Sequence, residues 1–307
     1  NNVPEGEAST FDLDTVGDNT ESRDFSFKLI PATPYDLSET DVPADVGPYN
    51  QSWVKTSVGC VDPSQDSTAP NPPYDATILA SSGETVSCTF TNTLDGTLIV
   101  RKETIPDGID VAFSFAGDAA LTGSIRDYSA FTEELVLTAQ PGTYGTVETV
   151  PNGWSLSNIN CTGGQNSTVR IGTEDVFTSP GFDAGDDQIE VDLAAGETVV
   201  CTFTNTLEGG ITINKTVVGA DASFNFNATY DVDGFALSNG GSNSSQPLQS
   251  GTYTVTESLP AGYALTDISC PGEYASTIIT SVNGVEIQLV DGEQVECTFT
   301  NTELGSL

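Results

Sequence analysis

The string Cys-Thr-Phe-Thr-Asn-Thr-Leu occupies residues 88–94 and again 201–207, and Cys-Thr-Phe-Thr-Asn-Thr-Glu occupies 297–303. No other feature constrains the fold as much. The copies lie 113 and 96 residues apart, too far for a solenoid repeat and about right for whole domains. The chain therefore reads as three units, 1–93, 94–206 and 207–302, with a 303–307 tail that leads toward a further strand. Within each string Cys, Phe and Asn alternate with Thr. Side chains at i, i+2 and i+4 share one face of a strand, so a buried Cys and Phe carry the Asn to the interior with them.

The rest of each unit has the same period of two. In the third unit, Ile211, Ile213, Lys215 and Val217 share a face of "GGITINKTV". Phe224 and Phe226 share another, and Tyr253, Val255 and Glu257 a third, in "GTYTVTESLPAGY". Turns fall at Asn283-Gly284 and Asp291-Gly292. The second unit repeats the order with Leu98, Val100 and Lys102, then Tyr144 and Glu148. No stretch has a helical period. The fold class is all-β: three tandem Ig-like antiparallel β-sandwiches. The joints, residues 93–96 and 206–210, are short, so three units in series are expected to make a stiff rod.

Six cysteines fall two per unit: Cys60 and Cys88, Cys161 and Cys201, Cys270 and Cys297. One disulfide per unit is the expected arrangement. Reduced thiols or a metal site are the competing readings, and metal is disfavoured by the lack of any CxxC spacing or histidine. Disulfides imply an oxidising compartment. Six N-x-S/T sequons, at Asn50, Asn160, Asn166, Asn214, Asn227 and Asn243, are candidate glycosylation sites and fit secretion. No signal peptide, transmembrane run or methionine is present, as expected of a processed or trimmed chain. Acidic residues outnumber basic ones 44 to 8, for a net charge of −36. The acids are spread over the units at 15, 17 and 12, which reads as a solvated, self-repelling surface. Such a surface disfavours nucleic acid and anionic membranes as partners.

The phasing that buries Asn205 and Asn301 also turns Lys102, Lys215, Glu148 and Glu257 inward. Burying such groups without purpose is costly. The competing reading leaves both lysines at strand ends with their amines reaching water. Yet the chain has only four lysines, and two of them occupy the same phased position. Lys, Glu and Asn together are the parts of an intramolecular isopeptide bond. Burial favours the neutral amine and the protonated carboxyl. The amine attacks the carboxamide, the carboxyl polarises it and shuttles protons, and ammonia leaves. The fold supplies proximity, so the reaction runs once.

At these residues, "ITINKTV…TYTVTESLPAGY…CTFTNT" closely resembles the CnaB-type, or SpaA-like, prealbumin-fold domains of microbial cell-surface and pilus proteins. The resemblance implies a stalk module with Lys102, Glu148 and Asn205 acting together in one domain and Lys215, Glu257 and Asn301 in the next. It covers roughly 94–206 and 207–302 well, departing at Thr146, where an apolar residue is expected. The first unit matches in part. Tyr35, Leu37 and Glu39 align with the glutamate strand, and Asn92 with the closing asparagine, but Thr15 stands where lysine is needed. Phe27 precedes Tyr35 by 8 residues where Phe226 precedes Tyr253 by 27, so about two strands are expected to be missing.

The leading function is therefore a structural subunit of an extracellular filament, pilus or stalk, with a head-to-tail copy of itself as partner. Strand addition between an incomplete first unit and the 302–307 tail is one means of assembly, with Phe11 and Leu13 setting register; a cut from a longer array is the other reading. An adhesin stalk bearing a host or matrix ligand is the alternative, although no loop gathers the aromatics and arginines of a binding hot spot. Trp53 and Trp154 read as core or capping residues. An enzyme is rejected, since no triad can be written without histidine or free cysteine. No cofactor and no metal are expected. The acidic stretch 182–192 lacks EF-hand spacing and reads as a solvated loop.

Overall fold

A computed structural model describes residues 29–39, 47–69, 74–128, 131–173, 176–179 and 181–305. The chain divides into two compact units, Asn1–Asp95 and Gly96–Leu307. The larger unit contains two sandwiches. In the first of these, a four-stranded sheet runs in the order Trp154–Gly163, Thr198–Leu207, Gly96–Ile105, Glu134–Ala139. It faces a seven-stranded sheet that includes Gly142–Thr149 and Ala112–Gly117 as neighbours. In the second, Ser242–Ser244, Gly210–Val218, Gln294–Glu303 and Tyr263–Ser269 form a four-stranded sheet. Its partner sheet has five strands, with Phe224–Ala228 beside Gly251–Ser258. The one helical element among the described residues is a 3-10 turn at Ala119–Leu121.

The alternation read in the sequence is the alternation of burial. Leu98, Val100, Phe113, Phe115, Phe203 and Val199 are all at most 3 % exposed and build one core. Ile211, Ile213, Phe224, Phe226, Val255, Ile287 and Phe299 build the other. Each fully buried aliphatic or aromatic side chain adds about 1.5–3 kcal/mol. Edge-to-face contacts join the two sheets of each sandwich: Phe115 meets Phe203 at 5.1 Å and Phe226 meets Phe299 at 5.3 Å. Trp154 is buried against Phe113. Thr146 departs from the apolar pattern yet is 4 % exposed, because its hydroxyl donates to Leu121 O at 2.9 Å.

One pairing differs from the antiparallel expectation. The opening strand Gly96–Ile105 runs parallel to the closing strand Thr198–Leu207, and Gly210–Val218 runs parallel to Gln294–Glu303. The sandwich interposes its other strands between these two, so both can point the same way. The chain thus enters each sandwich at one end of this pair and leaves at the other.

The smaller unit is described as two two-stranded pairs, Pro34–Leu37 with Ala76–Leu79 and Trp53–Val61 with Ser87–Leu94. Val58, Ala76 and Ile78 form its buried cluster. Phe11, Leu13, Thr15 and Phe27 lie outside the described residues, as do residues 306–307 of the tail.

All six cysteines form disulfides: Cys60–Cys88, Cys161–Cys201 and Cys270–Cys297. Cys60 and Cys161 stand directly opposite Cys88 and Cys201 on the strand antiparallel to the closing strand, and Cys270 lies one residue past the end of the equivalent strand Tyr263–Ser269. Beside each bridge the neighbouring strand carries a bulge, at Thr56, Ser157 and Thr266. The bulged residue has a hydroxyl in all three copies, which donates to Thr91 O, Thr204 O and Thr300 O.

Candidate functional site

Two buried centres occupy equivalent places in the two sandwiches. In the parallel register Lys102 pairs with Phe203 and Thr104 with Asn205, so lysine and asparagine sit two residues apart on one face. Lys215 opposite Phe299 and Val217 opposite Asn301 repeat this offset. The glutamate arrives from the facing sheet: Glu148 pairs with Phe115, and Glu257 with Phe226. Each centre therefore spans the core from sheet to sheet.

Lys102 and Asn205 are 0 % exposed, and Lys215 and Asn301 at most 1 %. The reading in which the amines reach water does not describe them. Lys102 Nζ donates to Asn205 Oδ1 at 2.9 Å, Phe203 O at 2.8 Å and Glu103 O at 2.7 Å. Lys215 Nζ donates to Asn301 Oδ1 at 2.8 Å, Phe299 O at 3.0 Å and Thr216 O at 2.9 Å. Each amine also lies 4.3 Å from a ring centroid, that of Phe113 or Phe224. Glu148 Oε1 stands 3.8 Å from Lys102 Nζ, and Glu257 Oε1 stands 3.6 Å from Lys215 Nζ. In the third unit the carboxylate reaches the amide too, accepting from Asn301 Nδ2 at 2.9 Å. In the second, Asn205 Nδ2 and both Glu148 oxygens have no hydrogen-bond partner among the described residues.

Burial governs the electrostatics. It pulls Lys102 down to about 8, while Glu148, Asp127 and Glu103 oppose the shift. It pushes Glu148 up to about 7 against the pull of the Lys102 charge. Lys215 moves down and Glu257 up for the same first cause. Neutral amine and protonated acid are thus accessible near neutrality. An amine held against a carboxamide, with an acid beside both, has the parts for amide exchange.

In the smaller unit Asn92 Nδ2 donates to Glu39 Oε1 at 2.7 Å, so this pair is also brought together. Lys55, absent from the sequence-based site, lies opposite Asn92 on the neighbouring strand. The visible signal was its alignment with Leu156 and Leu265, the residues opposite Asn205 and Asn301.

A second repeated device also escaped the sequence reading. A Gly-Glu pair closes a turn in every unit, with Gly83, Gly196 and Gly292 at φ of 81°, 68° and 74° and the glutamate N–H donating back across the turn. This left-handed conformation suits glycine. The glutamates then clamp the loop after the first cysteine. Glu84 accepts from Ser64, Glu197 from Asn166 and Ser167, and Glu293 from Ala275 and Ser276. In the acidic stretch 182–192, Glu190 and Asp192 pair with Arg170, and Asp186 accepts from Asp183 N. A different trio, Asp62, Asp66 and Glu84, gathers its carboxylate atoms within 4.8 Å around Ser64, whose N–H donates to Glu84 and whose hydroxyl lies within hydrogen-bond reach of all three. Among the sequons, Asn50, Asn160, Asn166 and Asn227 are exposed, while Asn214 and Asn243 are half-buried in strands. No helix among the described residues is long and apolar enough to cross a membrane.

A family model described as a prealbumin-like fold domain matches residues 98–207 and 211–303, and a second model of the same description matches 8–94. No curated protein matches the chain. Similar solved structures include the major pilin protein (T-13) of Streptococcus pyogenes. It is 16% identical, with 67% of this chain and 97% of that chain covered at a TM-score of 0.26. The pilus adhesin SpaC of Lactobacillus rhamnosus GG is 14% identical over 90% of this chain and 44% of its own, at 0.26. An adhesin of Mobiluncus mulieris, described as containing disulfide, isopeptide and ester cross-links, is 12% identical over 81% and 100%, at 0.30.

Proposed function

The chain belongs to the prealbumin-like fold domain family, and from that membership we propose that it is a structural segment of an extracellular surface filament, pilus or stalk. In this reading the three units 1–93, 94–206 and 207–302 are load-bearing modules. Lys102–Asn205 and Lys215–Asn301 isopeptide bonds lock the second and third.

The observation that carries the reading is the fully buried Lys–Glu–Asn centre between the first and last strands of each sandwich. Tension applied through the chain enters along the opening strand and leaves along the closing strand. A bond from Lys102 to Asn205 carries that tension directly and bypasses the residues between them. The sandwich then cannot be pulled open without breaking a covalent bond. A protein whose task is to resist force and proteolysis gains from this, whereas a turnover catalyst does not.

The chemistry balances without a cofactor. Glu148 or Glu257 takes a proton from the lysine ammonium. The amine attacks Asn Cγ, the Cγ–Nδ2 bond breaks, and ammonia departs with a proton returned through the carboxyl. Head-to-tail assembly with copies of the same chain is part of the proposal, and strand addition at a sheet edge is its simplest route.

The test is intact-mass measurement of the secreted chain, corrected for its disulfides and glycans. A deficit of one ammonia in each of the second and third units is expected. A full calculated mass refutes the cross-links and removes the main support for the load-bearing reading. Electron microscopy then distinguishes filaments from isolated molecules.

A further inference from the structure

We propose that the first unit also closes an isopeptide bond, from Lys55 to Asn92, with its lysine moved to a different strand. The inference rests on the reading of the other two centres as amide-forming sites.

The glutamate–asparagine half of the centre is intact in the first unit. Asn92 Nδ2 donates to Glu39 Oε1 at 2.7 Å, as Asn301 Nδ2 donates to Glu257. The remaining acceptors are orphans. Asn92 Oδ1 and Glu39 Oε2 are buried without a hydrogen-bond partner among the described residues. In the other centres the atoms in these roles face a lysine amine: Asn205 Oδ1 and Asn301 Oδ1 accept from it, and one oxygen of each glutamate stands within 3.8 Å of it. Two buried acceptors without a partner among the described residues cost free energy, and an amine seated between them removes that cost.

Lys55 is placed to supply it. The strand Trp53–Val61 pairs with Ser87–Leu94 so that Lys55 is the direct Cα partner of Asn92. Residues directly opposite on an antiparallel pair project from the same face. The equivalent partners, Leu156 and Leu265, pack against the cores of their sandwiches, so this position looks inward. Lys55, half-buried, donates from Nζ to Glu39 O at 3.2 Å and pairs with Asp75 Oδ1 at 3.4 Å, so its amine already lies beside the glutamate's strand and would exchange these partners for Asn92 by a rotamer change. The first unit thus has threonine, Thr15, where the others have lysine, and lysine where the others have leucine. Loss and gain fall around one Glu–Asn pair.

The step is the one written for the other units. Glu39 accepts a proton from Lys55, Nζ bonds to Asn92 Cγ, the Cγ–Nδ2 bond breaks, and ammonia leaves with the remaining protons. Such a bond would tie the closing strand to its antiparallel neighbour, the same two strands that Cys60–Cys88 joins. It would leave the tie to the opening strand to the other two units.

The experiment is intact-mass and peptide-level mass spectrometry of the full chain, with and without Lys55→Arg. Three ammonia deficits are expected, with a branched peptide joining Lys55 to Asn92. Lys55→Arg should lose one deficit and that peptide while keeping the Lys102–Asn205 and Lys215–Asn301 peptides. If those two peptides are present and Asn92 is an unmodified amide, the proposal fails and the cross-linked reading of the larger unit stands. A peptide joining Asn92 to Lys28 overturns the assignment to Lys55. Absence of all three branched peptides overturns this proposal together with the cross-link reading on which it rests.

Discussion

Replacing Glu257 by glutamine removes the proton carrier of the third unit while keeping its shape. The glutamine carbonyl can still accept from Asn301 Nδ2, as the 2.9 Å contact requires. The substituted side chain cannot take protons from the Lys215 ammonium or return one to the departing nitrogen. General acid–base help of this kind is worth about 10²–10⁴-fold in rate. The bond is therefore expected to be missing when the protein is harvested. Its absence reopens a ring spanning 86 residues between Lys215 and Asn301. Chain entropy assigns a closed ring of that size about 4.5 kcal/mol at 25 °C. The Cys270–Cys297 bridge already ties 27 of those residues. Because the dependence is logarithmic, the bridge trims the figure by only about 0.3 kcal/mol. A domain of this size loses roughly 4–8 °C of Tm per kcal/mol, so the third unit should unfold roughly 17–34 °C lower. Intact mass and scanning calorimetry of the full chain check both halves. After the mass change of the substitution is subtracted, the variant should be heavier than wild type by one ammonia. A variant that keeps the deficit refutes the role given to Glu257. A variant that loses the bond without a lower third-unit transition refutes the stabilisation argument.

The Asn205→Ala variant leaves Lys102 and Glu148 buried and unbonded, so its stability should depend on pH. Glu148 is raised from 4.5 to about 7, so the folded state holds the extra proton and stability falls as pH rises through that window. Lys102 is lowered from 10.5 to about 8, so the unfolded state holds the extra proton and stability rises as pH climbs through that window. Relative to a Lys102→Met, Glu148→Gln, Asn205→Ala control, denaturant titrations should find the variant least stable between pH 7 and 8; a flat difference refutes the assigned shifts. Removing the Cys161–Cys201 bridge with paired serines should cost about 3–4 kcal/mol, and non-reducing peptide maps should show only the three pairs within units; urea titration and mapping check this. Glu197→Gln should speed hydrogen exchange at residues 163–168, where its carboxylate holds Asn166 and Ser167, without altering the mass deficit. Deleting residues 1–16, or separately 303–307, should reduce head-to-tail association measured by light scattering, most clearly at high salt, where screening relieves the repulsion of a −36 chain; equal monomers in all three proteins refute assembly through the ends.

The sequence by itself determined the local pattern and what that pattern buries. Period-two alternation needs only chain neighbours, and it placed Lys102, Glu148 and Asn205 inward because Leu98, Val100, Tyr144 and Phe203 had to be. The three-fold repeat likewise assigned each cysteine to a unit. What the sequence left open depends on partners far along the chain. The parallel pairing of the opening and closing strands is invisible locally, since a strand of the same composition serves in either direction. The two-residue offset that sets each lysine against its asparagine follows from that register. The bulges at Thr56, Ser157 and Thr266, the clamp made by Glu84, Glu197 and Glu293, and the burial of Thr146 are all hydrogen-bond solutions to backbone and side-chain groups that only folding brings together. Lys55 shows the limit most plainly: as a letter it is one exposed-looking cation, and it becomes chemically interesting only when the β-ladder sets it opposite Asn92.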